Sequence, residues 1–137
     1  TISALEGLRE YEKYCSENSK KLRKSQEKAQ EFLLKHYLFR SHRTGEVVDP
    51  RMTRLSFPPR WRYDIMRMLD YLQEYGAFQD KRAVDAIEIV KKKEKKGTWP
   101  LQCRHPGKTF FEMEEIRKPS RWNTLRALRI LKWWEKT

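Results

Sequence analysis

Between Phe57 and Trp99 the apolar residues recur at helical spacing. Ile65, Met68, Leu69 and Leu72 follow the i, i+3, i+4, i+7 pattern of one helix face, and Met66 widens that stripe. Asp64, Arg67, Asp70 and Gln73 take the polar positions. Gly76 closes the segment, because glycine tolerates the positive φ that ends a helix. Asp80 then caps a second helix that carries Ala83, Val84, Ala86, Ile87 and Val90 on one side and charges on the other. A Lys-rich run ends it at Gly97-Thr98-Trp99, and Pro58-Pro59 holds the approach to the first helix extended.

The flanking segments follow the same logic. Ser3 to Glu6 has capping-box form, with Ala4, Leu8, Tyr11 and Cys15 on one face of the helix that follows. Residues 19–37 predict a further helix with Leu22, Ala29, Phe32, Leu33 and His36 on its apolar side. A polar loop over 39–50 leads to a short extended piece, 52–57. After Trp99 comes a long loop with a short strand expected over 109–113, then a fifth helix over 121–135 that includes Leu128, Leu131 and Trp134.

Segments of this pattern repeat. Residues 63–72 lie over 122–131 at a spacing of 59, so that Met66 meets Leu125, Arg67 meets Arg126 and Leu69 meets Leu128. Residues 2–8 lie over 63–69 at a spacing of 61, and the turn at 43–47 mirrors that at 95–99. Helix pair, helix pair, half pair is the plan, and recurring helical hairpins predict a solenoid or a closed α/α ring. The expected fold class is therefore all-α, one domain over residues 1–137.

Composition narrows the function classes. Aromatics at 12% argue for a packed core over a disordered basic tail. No apolar run is long enough for a membrane span, and Cys15 and Cys103 lack paired spacing, which predicts a reducing, cytoplasmic setting. A net charge of +12 admits a polyanion partner. Here the lysines alternate with helix formers and crowd a helix end, without a nucleic-acid motif, so solvated helix faces are the favoured reading and nucleic acid the less favoured.

The Gly97-Thr98-Trp99 ending, preceded by a helix and followed by a helix headed by Trp122, resembles the repeat of the prenyltransferase/squalene-cyclase α/α-toroid superfamily. Residues 60–99 carry the likeness best. The blocks Phe39–Glu46, Leu55–Trp61, Trp99–Gly107 and Pro119–Leu128 resemble uncharacterised prokaryotic proteins described as prenyltransferase- or cyclase-like. The resemblance implies inner and outer rings of alternating helices around an apolar cavity for an isoprenoid. By that register the first, third and fifth helices are inner. A chain starting at Thr1 reads as the C-terminal portion of a longer toroid, with further repeats upstream or a second copy as partner. Lys91–Lys93 stand where the repeat carries a Gln, and neither the cyclase Asp-rich motif nor the prenyltransferase zinc set is present, so no cofactor, metal or catalytic residue carries over.

The candidate chemistry rests on single residues. His42 beside Arg43 could clamp an anion or hold helix-end carbonyls. Cys103, Arg104 and His105 near Glu112 make a weak metal signal; a turn at His105 with Glu112 paired to an Arg is the plainer reading. Asp64, at the position of Asn123 in the repeat, is either a general acid above an aromatic cavity or a helix cap. Phe57, Trp61, Tyr63 and Trp122 head the inner helices and either line a ligand or fill the core. The leading expectation is an apolar, isoprenoid-type ligand bound at the ends of the inner helices. The alternative is a non-catalytic helical-repeat scaffold.

Overall fold

A computed structural model describes residues 1–15 and 17–136. It contains α1 (Ile2–Tyr14), α2 (Ser19–Lys35), α3 (Ile65–Tyr75), α4 (Val84–Lys92) and α5 (Arg121–Trp134). Strands β1 (Trp99–Pro100) and β2 (Pro119–Ser120) form a minimal antiparallel pair, Trp99 opposite Ser120. The chain is helical throughout apart from this pair and its loops. Among the described residues, no helix is long and apolar enough to cross a membrane.

α3 is the hub, and its sequence explains why. The Asp64 side chain accepts from the Arg67 backbone N–H at 2.8 Å and so caps the first turn. Gly76 closes the last at φ 74°. Between them Ile65, Met66, Met68, Leu69, Tyr71 and Leu72 are all buried, so α3 is covered on nearly every side. Each such side chain contributes about 1.5–3 kcal/mol on leaving water.

The contacts of α3 set the directions of its neighbours. Along α1, Glu6 pairs with Arg67 and Arg9 donates to the Glu74 carbonyl. Along α5, Arg126 reaches Asp70, Arg129 reaches Gln73, and the Trp133 indole donates to the Ala77 carbonyl. Partners climb together on both sides, so α1, α3 and α5 form a row of parallel helices. α2 turns back along α1, where Glu12 binds Arg23 and Gln26. α4 also runs back against the row. Its Val90 carbonyl takes the Trp99 indole N–H at 2.7 Å, and the Trp99 backbone N–H reaches Thr124 at the start of α5.

Several expected faces are corrected. Ser3 lies inside α1 and does not cap it; Ser3 and Glu6 hold the Arg67 guanidinium instead. α1 buries Ile2 and Leu5, leaving Tyr11 exposed, because the side facing α3 is one row over from the Ala4–Leu8 stripe. α2 buries Gln26, Gln30, Leu33 and Leu34 and exposes Phe32, since Tyr71 satisfies both glutamines. Val84 is exposed on α4 and Leu128 on α5. Residues 109–113 are loop, with the pairing carried by Trp99 and Ser120 instead.

Candidate ligand site

The entry to α3 is pinned to the loop after β1. Gln102 and Cys103 both donate backbone N–H groups to the Leu55 carbonyl, and the Gln102 side chain returns a bond to the Leu55 N–H at 3.1 Å. Ser56 bonds Asp64 with its hydroxyl at 2.7 Å. This fixes Phe57 at the head of α3 and 101–106 beside it. The two loops and the segment up to Glu114 border an open chamber of about 380 Å³. Phe57 and Leu101 form its apolar base, with Phe110, Phe111 and Met113 exposed around its mouth; Arg60, Arg104, His105, Glu112 and Glu114 are its ionisable groups.

Phe57 stacks on Trp122 with ring centroids 5.0 Å apart and planes 8° from parallel, tying the heads of α3 and α5 together. Trp61 meets His105 edge-on at 4.7 Å. The imidazole also lies over Gly107, where any Cβ would fall 2.5 Å from Nε2, so this glycine makes room for the ring. Arg104 pairs with Glu112, both of them exposed.

Beneath Phe57 and Trp122 a groove of about 400 Å³ runs along the row of parallel helices. Its floor is charged: Glu6 with Arg67, then Asp70 with Arg126 and Arg129. Burial pushes the Asp70 carboxyl above the ordinary range despite both guanidiniums, and its Oδ1 has no hydrogen-bond donor.

Family models, curated proteins and solved structures were compared with the chain, and none matches.

The expected site residues thus divide. Phe57, Trp61, Trp122, His105 and Glu112 gather at the head of α3 and α5. Tyr63 does not join them: its hydroxyl donates to the Leu38 carbonyl at 2.5 Å, and burial with nearby Asp64 drives its pKa far up. It serves as an anchor for the end of α2. Asp64 is fully buried, one oxygen on the Arg67 N–H and the other on Ser56, which is the geometry of a helix cap. His42 faces His36 across 3.4 Å on the turn after α2, with Arg43 exposed beside it; neither lines the chamber. Among the described residues no group of three or more His, Cys, Asp or Glu could hold a metal ion.

Sequence reasoning missed the charged floor. Arg67 and Arg126 are nearly fully buried, each bound to a carboxylate on the neighbouring parallel helix and to a loop carbonyl, Arg62 for one and Ser56 for the other. Their alignment in the repeat was the available signal. Arg60 and Arg62 flank Trp61 in the sequence, and the fold brings Arg104 and His105 to them from the loop after β1.

Proposed function

We propose that the chain is an arc of a prenyltransferase/squalene-cyclase-like α/α repeat that binds an apolar, isoprenoid-type ligand at the heads of its inner helices. Support for the arc comes from the recurring staple: Arg67 to Glu6 between the first two inner helices, Arg126 to Asp70 between the next two. Support for the ligand comes from one observation, an open chamber based on Phe57 and Leu101, with Phe110 and Phe111 exposed at its mouth and Arg104, His105 and Glu112 at its edge. Apolar walls with few polar groups are the usual form of a small-molecule site. Binding is the activity proposed.

Farnesol is a suitable probe, followed by quenching of tryptophan fluorescence. Saturable binding is expected, weakened at least about tenfold by Phe57→Ala or Phe111→Asp, since either removes apolar contact area worth a kcal/mol or more. Absence of saturation, or indifference to both substitutions, overturns the reading.

A scaffold reading is favoured by one feature of α5. Trp122, Leu125 and Leu128 are 40–52% exposed. Their counterparts at the 59-residue spacing, Tyr63, Met66 and Leu69, are covered. That stripe would seat an inner helix of a second copy. Dimers in sedimentation velocity, dispersed by Leu125→Glu with Leu128→Glu, are the expected result; a monomer at all concentrations counts against it.

A further inference from the structure

The other side of the wall formed by Pro58, Arg60, Arg104 and His105 holds a second cavity, of about 250 Å³, and its chemistry is different. Arg51, Arg60, Arg62, Arg104 and His105 line it together with Trp61, Ser56 and three prolines, and no carboxylate is among the lining groups. Arg51 is matched by Asp49 and Arg104 by Glu112, and neither carboxylate lines this cavity. Among the described residues, Arg60 and Arg62 make no ion pair. Like charges gathered around one small space repel unless an anion enters. Arg60 is also held at φ 49°, a left-handed conformation that a non-glycine residue adopts only against its own preference.

We propose that this cavity binds a nucleoside phosphate, the phosphate between the guanidiniums and the base on Trp61. Guanidinium forks match phosphate oxygens in pairs, which a lysine cannot do. Trp61 is 70% exposed, and a large indole left in water beside such a cluster offers a stacking surface that inorganic phosphate does not use. Its lining carries four guanidiniums and no carboxylate, whereas the neighbouring chamber also carries Glu112 and Glu114. One ligand chemistry has two sources here, a free nucleotide or a residue of a single strand.

Three probes decide: thymidine monophosphate, a thymidine decamer and sodium pyrophosphate, each titrated by calorimetry at low and moderate salt. Both thymidine probes should bind. Similar affinities point to the free nucleotide; a decamer tighter by about tenfold or more points to a strand, with a salt slope near −2 for about three neutralised phosphates. Trp61→Ala should weaken thymidine binding at least about tenfold, as expected for a lost base stack, and Trp61→Phe should restore most of it. Arg60→Gln with Arg62→Gln should weaken all three probes. Lys24→Gln with Lys28→Gln, both exposed on α2, should change nothing. Absence of thymidine binding at low salt, equal loss in the α2 variant, or pyrophosphate binding as tightly as thymidine monophosphate with Trp61→Ala silent would each overturn the proposal. The farnesol experiment is read on Phe57 and Phe111, so the two sites fail separately.

Discussion

Asp64 shows how one buried carboxylate can hold two segments. It caps α3 and fastens Ser56, with no solvent contact at all. Asp64→Ala should cost about 2–4 kcal/mol in urea denaturation, a lost cap plus stranded donors. Asp64→Asn keeps an acceptor for the cap and should cost about half. Asp70 behaves oppositely because burial dominates it. Its folded pKa lies above the unfolded value near 3.8, so folding favours the protonated form. The stability this provides is complete at lower pH and is lost as pH rises through the folded pKa. Asp70→Asn has no such titration. Its stability relative to the parent protein should therefore climb as pH rises from near 3.8 through the folded pKa, as measured by urea midpoints at fixed pH.

The helices differ in how readable they were. α3, Gly76 and the Asp80-initiated turn into α4 follow local rules, and a single apolar stripe with strong end signals reveals them. α1 and α2 bury polar groups, which no hydrophobic period reveals. Gln26 accepts from the Tyr71 hydroxyl at 2.9 Å, while Gln30 donates to that same oxygen. Tyr71→Phe should cost about 1–3 kcal/mol by leaving both glutamines short of a partner. Pairing it with Gln26→Leu should cost less than the two single losses summed, because the substitutions share one network. A double-mutant cycle in urea reads that coupling. The site was legible only in part for a related reason. Phe57, Trp61, Trp122 and His105 stood out as aromatic or titratable, whereas Arg104 joins Arg51, Arg60 and Arg62 around Trp61 from a loop about 40 residues away in sequence.

At the scale of the molecule, charge works against compactness. With a formal charge of +12, moderate salt should screen self-repulsion and raise Tm by a few degrees between about 20 and 200 mM NaCl. Calorimetric scans test this, and a falling Tm would show that the ion pairs along α1, α3 and α5 outweigh the repulsion.

The parallel row has one more effect. Three aligned helices present their N-termini, where partial positive charge collects, toward the same pole of the molecule. The C-terminus of α4, with the lysines that follow it, ends beside the start of α5 at that pole. α2 and α4 run the other way, so their C-termini offset part of that field and leave roughly one helix's positive end in excess at the pole.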